Sequence, residues 1–214
     1  MRIISHDHPL YAGRAGPHQN GAYWYSKEIV ENIIPEIRTD RSWVTINVPG
    51  VAANHSIVFI HNNKTPAMYD HLQGFRDLVL VCGVPSTCAK VAHLGKAIYL
   101  PLSVDVEYVE KFKADKKIYS YAYVGRRGKR EGMKFPKGTI MLEGLSRPQL
   151  LREMAKAKKV YAVGRCALEA KILGCEVLPY DERFPDPDFW QVLDNREAAK
   201  ILQRKLDEID KETK

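Results

Sequence analysis

The segment Val163-Gly164-Arg165 leads from an apolar stretch into one with helical spacing that carries Glu169. A helix start offers unpaired backbone N–H groups and a partial positive charge, both suited to phosphate. Gly164 would let a phosphate approach the backbone closely, and Arg165 could add a forked pair of donors. One turn further in, a carboxylate at Glu169 can accept hydrogen bonds from two vicinal hydroxyls of a ribose. The alternative is a first-turn glutamate stabilised by the helix dipole, worth about 0.3 to 1 kcal/mol. The residues alone favour that alternative.

Other polar groups stand where strands end. His61 closes the apolar run 56–60 and has the reach for a general base or a sugar-hydroxyl contact, with simple capping of the sheet as the even alternative. Asp7 and His8 follow the first apolar run and are the other base candidates. His6-Asp7-His8 also reads as a set of metal ligands, though such a triplet in a loop is more often not a closed metal site. Gly21 opens the next helix, where a glycine turn would face a cleft. Tyr23, Trp24 and Tyr25 could stack on a ring, but aromatics at the start of an amphipathic helix are more often core. Asp186-Pro187-Asp188 reads as a solvated turn rather than a metal clasp.

Residues 111–137 hold ten lysines and arginines against Asp115 and Glu131. Such a run is usually a solvated face, yet with a formal charge of +7 it could also follow an anionic partner such as a phosphorylated small molecule or a nucleic-acid backbone. The 214 residues are 45% hydrophobic and 28% charged, an ordinary folded protein of one large or two small domains. No segment reaches the roughly 18 to 20 apolar residues of a membrane helix or the pattern of a signal peptide, and the reading is a cytoplasmic protein. Cys82, Cys88, Cys166 and Cys175 lie singly, without C-x-x-C spacing, and read as buried free thiols.

These groups must be positioned by alternating strands and helices. Strands are expected at 1–5, 42–49, 56–63, 77–84, 96–104, 118–126, 139–144, 158–164 and 175–180. Helices are expected at 22–34, stopped by Pro35, then near 66–75, 86–94 and 105–112. Ser146 to Gln149 and Asp194 to Glu197 are capping-box signatures for two more, the last carrying Ala198, Ile201, Leu202, Leu206 and Ile209 on one side. The alternation predicts an α/β protein with parallel sheets covered on both faces, as two small doubly wound halves joined near Ser103 to Asp105 or one continuous sheet. Ligands of such folds collect at the carboxyl ends of the strands.

The stretch ALEAKILGCEVLPYD (167–181) resembles the donor-site signature of sugar-nucleotide glycosyltransferases of the B-type fold, in particular the large retaining family with a Leu-Glu-Ala segment. DLVLVCGVPSTCAKVAHLGKAIYLPLSVDVEYVEKF (77–112) is similar to that family's interdomain passage, YAYVGRRGKR (121–130) to its Val-Gly-Arg strand end, and IVFIHNN (57–63) to its strand ending in histidine. The resemblance implies a Rossmann-like acceptor half at 1–104, reduced in length, and a nucleotide-sugar donor half at 105–214 with the terminal helix. It implies that Glu169 holds the ribose, that Gly164 and Arg165 begin the diphosphate-facing helix, and that Gly125, Arg126 and Lys129 or Arg130 receive the phosphates. Arg126, His61 and Asp7 are then the catalytic candidates. No cofactor or metal is expected beyond the nucleoside diphosphate sugar itself, and a modified base in DNA is one acceptor the charge allows. The family's earlier glutamate, eight residues before the position of Glu169, is Tyr161 here. A nucleotide-binding protein that has lost transfer is the alternative.

Overall fold

The computed structural model describes residues 1–9, 21–46, 52–60, 66–125, 130–180, 182 and 184–212. They form an α/β protein of two compact units. One holds the described residues from Met1 to Pro101 together with the last helix, and the other holds Leu102–Asp194.

The first unit is built on five parallel strands: β1 (Ile3–Ile4), β2 (Ser42–Val44), β3 (Ser56–Ile60), β4 (Leu78–Cys82) and β5 (Lys96–Tyr99). They lie side by side in chain order. β3 and β4 are uninterrupted apolar runs buried at every position, as central strands covered on both faces must be. One face of the sheet, with Val44, Val58, Ile60, Leu80 and Cys82, packs on Tyr69, Leu72, Val91 and Leu94. Val91 ends helix α2 (Pro85–Val91), while Tyr69 and Leu72 lie in the tight helix Pro66–Gly74. On the opposite face Trp43 stacks on Phe59, and Tyr25 of helix α1 (Gly21–Glu28) meets Phe59 edge-on. α1 widens into a π turn at Ile29–Ile33 and closes at Ile34–Glu36, where Pro35 removes a donor.

Helices therefore lie against both faces, as in a Rossmann-like half. Strand order, however, runs without a reversal, so the doubly wound arrangement expected of this half is not what forms.

At the amino ends of β2, β3 and β4 a charged cluster ties the sheet together. Arg41, 2% exposed, donates from Nη1 to the Asp77 carbonyl at 3.2 Å and to its carboxylate at 3.0 Å, and from Nη2 to Asp210 at 3.1 Å. His55 bonds the Asp77 carboxylate through Nδ1 and lies 2.9 Å from Asp40 through Nε2. His55 and Asp77 have φ of 54° and 52°, a left-handed conformation that costs of order 1 to 3 kcal/mol and persists only where surrounding bonds fix it.

The second unit has β6 (Tyr119–Val124), β7 (Ile140–Leu142), β8 (Ala157–Tyr161) and β9 (Glu176–Leu178), all parallel, in the order β7-β6-β8-β9. The winding direction reverses between β6 and β8. The helices are α3 (Val106–Glu110), α4 (Arg147–Ala155) and α5 (Arg165–Ile172). α4 opens as expected, with the Ser146 N–H and hydroxyl both donating to Gln149 Oε1. α5 ends at Gly174, φ 72°, where Gly174 N bonds the Lys171 carbonyl and Cys175 N the Ala170 carbonyl, the paired closure that a left-handed glycine permits. Lys117 carries its ammonium to the Ala155 and Leu173 carbonyls at 2.8 and 2.7 Å, capping α4 and α5 at once.

The last helix, α6 (Asn195–Glu212), buries Ala198, Ala199, Leu202 and Leu206. The sequence reading assigned it to the carboxy half; it packs instead on the π turn of the first unit, with Asn195 Nδ2 donating to Glu28 Oε2 at 3.1 Å. Burying Leu202 and Leu206 contributes about 1.5 to 3 kcal/mol each.

Candidate functional site

In an open parallel sheet the crevice for a ligand opens where the strand order reverses, beyond the carboxyl ends of the two strands concerned. In the second unit these are β6 and β8. β6 leads into Gly125 and β8 into Gly164. Gly164 has φ 62° and ψ −137°, a backbone region essentially reserved for glycine, and it delivers the chain into α5 with Arg165 first. A side chain at Gly125 would collide with the hydroxyls of Tyr123, 2.6 Å from an added Cβ, and of Tyr180. Those two phenols bond each other at 2.5 Å.

Around them runs a connected series of rings. Phe184 meets Tyr180, Tyr180 lies 5.5 Å from Tyr123, Tyr123 meets Phe135, and Phe135 meets Tyr161 at 5.1 Å edge to face. At the ends of β8 and β9 lies a cleft of about 420 Å³, lined by Tyr161, Pro179, Tyr180, Glu131, Lys134 and Glu182 among others. Sequence reasoning treated Glu131 and Lys134 only as part of a charged run and Tyr161 only as a departure from a motif. Clustering of Tyr161, Pro179 and Tyr180 near strand ends was the available signal.

Glu169 is 1% exposed. Arg147 Nη2, from the first turn of α4, stands 2.8 Å from its Oε1, and Arg165 Nη2, one turn earlier on α5, stands at 3.6 Å. The guanidinium N–H groups are not aligned on the carboxylate oxygens, so the contact is one of charge rather than a directed hydrogen bond. Glu169 is not among the described residues lining the cleft. Its partner Arg147 was missed because nothing in the local pattern marks an arginine twenty-two residues upstream.

Arg130 places Nε 3.0 Å from Glu143 Oε1, just past β7. Arg126, Lys129 and His61 lie outside the described residues. In the first unit Asp7 is mostly exposed and meets His6 Nε2 at 3.1 Å. His6 itself is buried; its backbone N–H donates to Ser26 Oγ at 3.1 Å, and Ser26 shares a hydrogen bond with Thr45. Sequence reasoning gave His6 only a place among metal ligands, although Ser26 and Thr45, polar residues inside apolar segments, hinted at a buried polar chain. Gly21 opens α1 exposed, with open space where a Cβ would stand. Tyr25 is core, as expected, while Tyr23 and Trp24 are half-buried and meet edge-on.

Among the described residues no group of three or more acidic, histidine or cysteine side chains could hold a metal ion, and no helix is long and apolar enough to cross a membrane. All four cysteines are free thiols, but only Cys82 and Cys175 are buried. No protein family, curated protein or solved structure matches the chain.

Proposed function

We propose that the second unit binds a nucleoside diphosphate sugar at the carboxyl edge of its sheet, and that the chain is a glycosyltransferase of the B-type fold acting on an acceptor held by its amino-terminal half. The observation that carries this reading is the reversal of strand order between β6 and β8, whose ends lead into the two glycine turns at Gly125 and Gly164. The start of α5 offers backbone N–H groups toward a diphosphate. Expelling that diphosphate builds negative charge on the leaving group, which cations and a helix start can stabilise. Arg126 with Lys129 or Arg130 would supply those cations, and Asp7 or His61 a base. A modified base in DNA remains the acceptor suggested by the charge of the chain. Loss of retention on duplex DNA at a few hundred millimolar salt would support it, and no retention at low salt would remove it.

A second reading, a nucleotide-binding protein without transfer activity, is favoured by one feature. Tyr161, packed edge-on against Phe135, stands where the resembled family carries the earlier glutamate that would contact the transferred sugar.

A thermal-shift screen against uridine, guanosine and adenosine diphosphate sugars tests the shared claim. A ligand at a hundred times its dissociation constant adds about 2.7 kcal/mol, a rise of roughly 5 to 10 °C for a chain of this size. Product release from the same donors then separates the two readings.

A further inference from the structure

The cleft beyond β8 and β9 has a chemistry of its own. Its apolar lining is the half-buried ring of Tyr161 and the exposed Pro179, with the buried Tyr180 beneath them. Tyr161 is held edge-on against Phe135, and Tyr180 is packed between Tyr123 and Phe184, so a ligand stacking on Tyr161 would find that ring already ordered. Among the described residues the charged lining is Glu131, Glu182 and Lys134. The aromatic face of Tyr161 suits a planar ring stacked on it. A volume of about 420 Å³ accommodates a nucleoside.

Resting on the reading that this unit takes a nucleoside diphosphate, we infer that the cleft seats the nucleobase and that the base is guanine. The choice follows from edge chemistry. A carboxylate accepts only, and an ammonium donates only. Guanine presents an N–H and an adjacent amino group, two donors side by side for one carboxylate, while its O6 and N7 are acceptors for a lysine. Uracil presents a single N–H between two carbonyls, which set acceptor against acceptor beside Glu131 and Glu182. Adenine offers one amino group next to an acceptor nitrogen and falls between the two.

Titration calorimetry of the full chain with GDP, ADP and UDP tests this. GDP binds at least about tenfold tighter than UDP, with ADP intermediate. Tyr161→Ala weakens GDP about tenfold or more and Tyr161→Phe, which keeps the stacking face, restores it. Because Tyr161→Ala could disturb the ring series, the paired surface variant Glu131→Gln with Glu182→Gln gives an independent reading: GDP binds more weakly, UDP binds no worse than to the wild type, and the preference for GDP over UDP shrinks. Equal affinity for GDP and UDP, unchanged GDP affinity in Tyr161→Ala, or an unchanged preference in the double glutamine variant overturns the guanine assignment and leaves nucleoside diphosphate binding standing. Failure of all three nucleotides to bind overturns both.

Discussion

Arg147 at the start of α4 and Glu169 in the middle of α5 stand 2.8 Å apart, with side chains 7% and 1% exposed. Removing one partner of a buried ion pair strands the other charge, which costs about 3 to 5 kcal/mol. Glu169→Ala is therefore expected to lower unfolding stability by that amount in denaturant titrations of the ligand-free protein. A change under about 0.5 kcal/mol would show that the pair does not form.

Lys117 joins two helix ends. Lys117→Met leaves the Ala155 and Leu173 carbonyls without their charged donor, for an expected loss of about 2 to 3 kcal/mol in chemical denaturation. Lys117→Arg, with its own donors, should recover part of it. Equal stability of Lys117→Met and wild type would contradict the capping role.

The packing over Gly125 makes it intolerant of any side chain. Gly125→Ala would push an added methyl into the hydroxyls of Tyr123 and Tyr180, and overpacking of this kind costs about 1 to 3 kcal/mol. Gly21→Ala, where an added Cβ meets open space, serves as the control and should leave the melting temperature almost unchanged.

His55 is held above its ordinary value of 6.5, chiefly by its hydrogen bond to Asp77 and then by that to Asp40, against a smaller opposing effect of burial. Burial pushes the Asp77 carboxyl up, but bonds from His55 and Arg41 outweigh it and leave it below 3.8; Asp40 is lowered mainly by His55. A raised histidine stabilises the fold fully below its unfolded value and loses that contribution as pH rises through the folded one. The lowered carboxylates stabilise above their unfolded values and lose that contribution as pH falls through the folded ones. The cluster thus contributes most between about pH 4 and 6.5. Melting curves of wild type and His55→Asn, a residue that tolerates the left-handed backbone, should differ most in that window and converge toward alkaline pH. A constant difference across pH would show that the network does not titrate.

Which parts of this were legible follows from the range of each signal. The runs that became β3 and β4 and the capping residues at Ser146 declare themselves locally, since burial on both faces and orphan helix donors act on neighbouring residues. Strand order does not, because an apolar run such as Leu78–Cys82 says that it is buried but not beside which strand. The stripe Ala198, Leu202, Leu206 was readable, yet its seat on the π turn after Glu28 was not, since an apolar face carries no address. The same holds for the site: Gly164 in a turn before a helix was visible, but its left-handed backbone, the pairing of Glu169 with Arg147 and the convergence of Tyr161, Tyr180 and Glu131 on one cleft arise only from folding.

The central claim is that a nucleoside diphosphate lodges where the ends of β6 and β8 meet the start of α5. Amide hydrogen exchange with and without a saturating nucleoside diphosphate reads this residue by residue. Slowed exchange at the amides after Gly164 and around Gly125, together with those lining the cleft beyond β8 and β9, is the predicted result; no protection, or protection only within the first unit, would contradict it.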